Sequence, residues 1–225
     1  MTDAATALES LLHDRWSCRG FLEREVPPAT IARLLTMAQR TPSWCNTQPW
    51  QVVLTRGEAT RRLAAGLYER VATGGADAPD IPFPPAYVGV YRDRRRVCGY
   101  QLYGTLGIDR GDRERTAAQA RENFRFFGAP HFALITTDRA LGPYGILDCG
   151  GYVTTFLLAA KSLELGAIPQ AAVAAQSPWL RDHLGLPDDR SVVCGISFGY
   201  ADPAHPANGF RTERAALEDA VQWLE

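Results

Sequence analysis

The sequence predicts one domain of α/β or α+β class, a single sheet packed among helices. Three observations carry that prediction. Short apolar runs of strand length alternate with longer segments of helical periodicity through the second half of the chain. Prolines and glycines break regular structure at identifiable points between those segments. A chain of 225 residues suits one sizeable core better than two small ones. We therefore read 1–225 as a single domain with one ordered excursion around 74–110.

Taken in order, Thr6 to His13 reads as a short first helix. In "PPATIARLLTMAQR", Ile31, Leu34, Leu35 and Ala38 fall at helical spacing behind a first-turn proline, and Pro42 stops the helix. Trp50 to Thr55 reads as a buried strand around Val52, Val53 and Leu54, and Glu58 to Ala72 as a helix. "GGADAPDIPFPP", Gly74 to Pro85, breaks regular structure. Arg92 to Arg96 reads as a basic helical segment among tyrosines, and Glu114 to Phe127 as another helix. His131 to Thr137 reads as a strand. Cys149 to Leu165 reads as a buried helix with Gly166 as its C-cap. Ala167 to Ala174 and Ser191 to Tyr200 read as strands, Ser177 to Leu184 as a short helix, and Glu213 to Leu224 as a terminal helix.

Bulk chemistry excludes several classes. The net charge of −1 offers no field for nucleic acid or an anionic membrane. No apolar run reaches transmembrane length and the start "MTDAATALES" lacks the signature of a secretory signal. Cys18, Cys45, Cys98, Cys149 and Cys194 form no C-x-x-C pair, which argues against a zinc site or a disulfide framework and suits a reducing cytoplasm. Among 24 Lys and Arg residues Lys161 is the only lysine. Phosphate loops, nucleophile elbows and H-E-x-x-H motifs are missing, so an enzyme of this sequence would rely on a bound cofactor.

Four stretches could hold a ligand. In "RWSCR" an extended backbone would put Arg15, Ser17 and Arg19 on one face, two guanidinium forks and a hydroxyl suited to a phosphate. The same residues also suit an exposed charged turn. In "TPSWCNTQPWQ" the groups of Ser43, Asn46 and Gln48 either cap their own loop or meet the polar edge of a ligand. Arg211 and Arg214 stand at the start of the expected terminal helix, where an anion is welcome; ion pairs with Glu213 and Glu218 are the alternative. "IPQAA" offers backbone groups to a flat ligand edge.

These stretches, in this order, resemble the nitroreductase family of FMN-dependent flavoproteins. The likeness rests on "RWSCRGF", "AQRTPSWCNTQPWQV", "DCGGYVTTFLLAAKSLELG" followed by "AIPQ", and "HPANGFRTERAALEDAV", and covers nearly the whole chain. It implies an α+β, three-layer sandwich with a central, mostly antiparallel sheet surrounded by helices. It implies a homodimer with FMN at the subunit interface, and ping-pong hydride transfer from NADH or NADPH to a nitroaromatic, such as a nitrobenzoate, or to a quinone. By that likeness Arg15, Ser17, Arg19, Arg211 and Arg214 approach the phosphate, ribityl chain and ring edge of FMN. Pro42, Ser43, Asn46 and Gln48 reach the flavin, part of their loop crossing from the other subunit, and Pro169, Gln170 and Ala171 lie along its ring. Phe83, Tyr87, Tyr91, Arg95 and Tyr103 fall in the variable part that covers the flavin and are the candidate contacts for a small aromatic substrate. The chain departs from the family pattern at Trp44 and Cys45, where small residues are common, and at Thr212, where lysine is frequent. Two other readings are an FMN-dependent dehydrogenase or oxidase of a small ring substrate, and a flavin carrier without activity.

Overall fold

A computed structural model of the chain describes residues 3–224. Four strands form one sheet: β1 (Gln51–Arg56), β2 (His131–Asp138), β3 (Gly166–Gln170) and β4 (Arg190–Gly199). Their order is β1-β2-β4-β3, and every neighbouring pair is antiparallel. Seven α-helices accompany them among the described residues: α1 (Ala4–Asp14), α2 (Pro28–Ala38), α3 (Glu58–Ala72), α4 (Gly89–Thr105), α5 (Arg113–Arg121), α6 (Gly142–Ser162) and α7 (Ser177–Leu184).

The three layers follow from strand alternation. On β2, Ala133 and Ile135 pack with Leu34 of α2 and with Tyr152 and Phe156 of α6, while Phe132 and Leu134 pack with Leu63 and Leu67 of α3 and Leu180 of α7. Both faces are covered, so the strand is buried from His131 to Thr137 and its apolar run Phe132–Ile135 does not alternate with polar residues. A register shift between Ile135 and Thr136 leaves Val193 unpaired on β4. One extra residue reverses which positions face which layer. Val192 therefore joins the α3 side, and Cys194, Ile196 and Phe198 the α6 side. Gly195 lies beneath the ring of Phe132, in space that a Cβ would occupy.

Several elements differ from the sequence reading. The buried helix starts at Gly142, seven residues before Cys149, because Pro143 sits in its first turn, where no donor is needed. It ends at Ser162, and Glu164 takes the left-handed conformation, φ 60°. Gly166 is thus the first residue of β3 and not a C-cap; a Cβ there would lie 2.9 Å from Cys18 Sγ. The strand expected to Ala174 stops at Gln170, and 171–176 coil into a 3-10 turn that buries Val173 and Ala174. The helix expected to Phe127 ends at Arg121. Phe126 and Phe127 then adopt left-handed backbone, and Phe126 stacks on Phe132 at 4.0 Å. No terminal helix forms over 213–224. That segment is exposed throughout and irregular apart from a 3-10 turn at Leu217–Asp219, and this chain provides no surface to bury an apolar stripe there.

Between α1 and α2 the chain runs extended. Ser17 pairs in parallel with Ala167 on the free edge of β3, Cys18 N–H donates to Ala167 O at 3.1 Å, and Leu22 N–H donates to Tyr200 O at 2.9 Å. Val26 N–H closes this strap by donating to His131 Nε2 at 2.8 Å. That bond puts the imidazole proton on Nδ1, which is buried without a partner. Burial pushes the His131 pKa below 6.5; Glu25 opposes the shift and Arg56 adds to it. The unfolded chain therefore binds a proton that the folded chain refuses, and this stability, present above the unfolded pKa, is lost as pH falls. We expect the urea midpoint to drop between about pH 7.5 and about pH 5.5, and His131→Gln, which keeps an acceptor but does not titrate, to lessen that drop. Equal drops in the two proteins would exclude the role.

Candidate functional site

The strap places the site. Its alternation turns Cys18 inward, where burial raises the thiol pKa to about 11 and its Sγ–H donates to Gly20 O at 3.2 Å. Arg15, Ser17 and Arg19 turn outward together, so the extended reading of "RWSCR" describes the fold. They open onto a cleft of about 1000 Å³ whose other walls are the end of α1 from Leu12 to Asp14, Trp16, Lys161 from the last turn of α6, Cys98 of α4, and Phe210 to Arg214. Residues from both ends of the chain thus share one cavity.

Its charge is predominantly positive, five cationic side chains against the carboxylates of Asp14 and Glu213. Arg15, Arg19, Lys161, Arg211 and Arg214 take part in none of the ion pairs among the described residues. Burial lowers the Arg15 pKa, with Arg214 adding to the effect, and burial lowers that of Arg19. Guanidinium stays protonated regardless, so both shifts record a cation short of solvent and of counter-charge. Asp14, an acid on the same wall, is engaged by His13 and Ser10. Arg211 lies 4.2 Å from the centre of the Trp16 ring and Lys161 Nζ lies 5.3 Å from it. The Trp16 indole N–H is buried without a partner. Arg211 donates to the carbonyls of Asn208 and Phe210, and Arg214 folds back on Thr212 and Glu213. Neither arginine stands at a helix start, because the expected helix is not there.

The loop from Pro42 to Gln48 lies elsewhere in the same chain. Trp44 N–H donates to both Asp148 carboxylate oxygens at 3.2 and 3.3 Å, and its ring meets Tyr144 at 4.3 Å, so the loop sits on the first half of α6. Lys161 is at the other end of that helix, about 20 Å away at the rise of an α-helix. Loop side chains partner one another. Ser43 Oγ accepts from Gln48 N–H at 2.9 Å, Gln48 Nε2 donates to Asn46 O and Oδ1, and Gln39 Nε2 donates to Gln48 Oε1. Cys45, Asn46 and Gln48 all have left-handed φ, at 51°, 55° and 47°. Such backbone costs energy at each residue, and the side-chain network is what holds it.

Gln170 is not free to meet a ligand through its side chain. It is 2% exposed, donates to Asn123 O and Oδ1, and accepts from Ser197 Oγ. Pro169 and Ala171, beside it, are exposed. Tyr103 lies near enough to Arg19 to act on its charge, as does Cys98. Phe83, Tyr87, Tyr91 and Arg95 do not line the cleft; Arg95 stacks over Tyr87 at 5.3 Å on the exposed side of α4. Sequence reasoning missed Trp16, Lys161, Cys98 and Phe210 as walls. Only Lys161 left a signal, as the sole lysine of the chain.

Residues 12–200 match the profile of the Nitroreductase family. The chain belongs to the nitroreductase family. Nitroreductase NfnB of Mycolicibacterium smegmatis is 34% identical over 98% of this chain and 94% of its own length. A 4-nitrobenzoate reductase of Pseudomonas putida is also 34% identical, over 96% of this chain and 95% of its own. The crystal structure of the FMN-dependent nitroreductase NfnB from Mycobacterium smegmatis in complex with NADPH superimposes with a TM-score of 0.94 at 34% identity. It covers 99% of this chain and all of that one. The nitroreductase fold expected from the motifs, α+β with an antiparallel sheet between helices, is the fold observed.

Loop capping in this nitroreductase is open to a direct check. Ser43→Ala leaves the Gln48 N–H without its acceptor and is expected to cost about 0.5–1.5 kcal/mol in urea unfolding. An unchanged midpoint would mean that water replaces the bond at no cost.

Proposed function

We propose that this nitroreductase-family chain is an FMN-dependent NAD(P)H oxidoreductase that reduces nitroaromatic compounds. One observation carries the reading: a cleft with five cationic side chains, none of them paired with a carboxylate among the described residues. A dianionic phosphate fits that donor set. Arg15, Arg211, Arg214 and Lys161 supply charge, Ser17 a hydroxyl, and Trp16 a buried N–H in need of an acceptor. Bound there, FMN would supply two-electron hydride chemistry between a nicotinamide and an acceptor. The protein contributes binding, orientation and charge. Arg19, extending along the strap beside Phe210 at 5.8 Å, is placed to direct a cation toward the uncharged part of such a ligand.

The chain's own ionisable groups favour this division of labour. Burial raises the pKa values of Cys18 and Cys149 to about 11 and of Cys194 to about 12, so these thiols are poor nucleophiles. Among the described residues, no group of three or more His, Cys, Asp or Glu could hold a metal. NADPH is the donor we assign, because the NfnB structure of Mycobacterium smegmatis holds it. The P. putida relative acts on a nitrobenzoate. A substrate of that kind, flat and acidic, matches the tyrosines and the Arg92, Arg94, Arg95 and Arg96 cluster of α4, of which only Arg92 is paired with an acid among the described residues.

We assign a homodimer with the cofactor between subunits. The exposed Leu217, Trp223 and Leu224 of the C-terminal arm have no surface to cover in their own chain. The separation of the Ser43–Gln48 loop from the cleft is the second support: a loop that cannot reach its own cleft can reach that of a second copy. No helix among the described residues is long and apolar enough to cross a membrane. All five cysteines are free, which suits the reducing cytoplasm we propose as its compartment.

Anaerobic stopped-flow absorbance of the FMN-loaded protein tests the function. NADPH is expected to bleach the flavin band, and 4-nitrobenzoate to restore it. A band restored only by oxygen would mean an oxidase, and a band that neither NADPH nor NADH bleaches would mean a carrier or a substrate dehydrogenase. The cleft assignment has its own check. Arg214→Ala is expected to weaken FMN binding about tenfold or more, since a charge-assisted bond contributes about 1.5–3 kcal/mol. Undiminished affinity in a fluorescence titration would exclude Arg214 as a phosphate ligand.

A further inference from the structure

Asn208 sits where the two ends of the chain meet, and it is not itself a wall of the cleft. It is 8% exposed, and both polar atoms of its side chain are engaged. Its Oδ1 accepts from Arg19 N–H at 2.8 Å. Its Nδ2 donates to Gly20 O at 2.9 Å and to Asp202 O at 2.8 Å. Its backbone carbonyl accepts from the Arg211 guanidinium at 2.8 Å. One residue therefore ties the backbone of Arg19, on the strap, to the side chain of Arg211, on the C-terminal arm.

The packing around it leaves little room for another solution. Asn208 ends a 3-10 turn, Pro206–Asn208, in which His205 Nδ1 accepts from Ala207 N–H at 3.3 Å. The same imidazole fills the place where Gly20 would carry a Cβ, so the turn and the strap are pressed together. Only a side chain with an acceptor and a two-proton donor on one short stem serves Arg19 N–H and the carbonyls of Gly20 and Asp202 at once. Aspartate would keep the acceptor but oppose two carbonyl oxygens with a carboxylate.

We propose that Asn208 is the positioning residue that sets Arg211, placed for the phosphate, against Arg19, placed for the uncharged part of the ligand, so that the cleft's preference for a phosphorylated flavin depends on it. This rests on the FMN reading above. Asn208 acts through the two arginines and touches no ligand itself. In Asn208→Ala the residue-208 carbonyl persists, and Asp202 N–H still donates to Gly20 O at 2.9 Å, but the bond that ties the Arg19 amide to the residue carrying the Arg211 acceptor is lost.

The test compares FMN with riboflavin, which lacks the phosphate, by quenching of flavin fluorescence on apo-protein, beside a melting curve of each protein. The wild type is expected to prefer FMN, and Asn208→Ala to lose about tenfold of that preference, the worth of roughly one charge-assisted bond. FMN and riboflavin affinities that fall by the same factor, or do not fall, would overturn the role of Asn208 while leaving the FMN reading intact. A wild type that does not distinguish the two flavins would overturn that reading and this proposal with it. Should Asn208→Ala not fold, amide hydrogen exchange in the wild type decides. FMN is expected to slow exchange at the Arg19 amide and across 206–211 together, and slowing in only one of these segments would overturn the coupling.

Discussion

The site depends on one short piece of backbone pairing, the parallel bridge between Ser17 and Ala167 with its bond from Cys18 N–H to Ala167 O. An extended strap on the edge of β3 must alternate, and alternation sorts its residues into two classes. Cys18 enters the core beside Gly166, which has no side chain to oppose it, and Arg15, Ser17 and Arg19 are left on the open side. A turn or helix over the same residues would scatter them. The bridge also covers part of a sheet edge that would otherwise present unpaired backbone groups.

Holding cations together is costly, and the cleft concentrates them in a chain whose net charge is only −1. Arg15 and Arg214 repel each other in a partly desolvated place, and neither forms an ion pair with a carboxylate among the described residues. Part of the cost is offset by the Trp16 ring, against which Arg211 and Lys161 lie, and by carbonyl oxygens that accept from Arg211 and Arg214. An anion would relieve the rest.

A second reserve of strain sits at the other end of α6. Three consecutive-region residues without glycine's freedom, Cys45, Asn46 and Gln48, hold left-handed backbone behind a network of amides and one serine. The two readings weighed for this stretch, loop capping and ligand contact, are therefore not exclusive. The side chains cap the loop in its own chain, and the cost of the conformation is consistent with a use beyond it. The α6 helix spaces this loop from the cationic cleft by about 20 Å of helical rise.

Much of the architecture was legible in the sequence. Strands β1, β2 and β4 and helices α2, α3 and α7 announced themselves through periodicity and proline placement, because each meets the core through its own local pattern. The strap was legible only as one of two alternatives: two arginines and a serine at alternate positions share a face if extended, and the extended backbone is the one observed. Elements whose form depends on distant partners could not be read. Phe126 takes a left-handed backbone to stack on Phe132, β3 ends where Val173 turns into the core, and 213–224 lacks a surface in its own chain on which to form a helix. Lys161 and Trp16 became walls of one cleft only when α6 was laid against the strap. Asn208, 189 positions from Arg19, carries no signal of its own. The sequence by itself determined which residues can bear charge, turn or bury. Which of them meet was decided by the tertiary structure, because hydrogen bonds across such separations form only after the sheet has brought both ends of the chain to one edge.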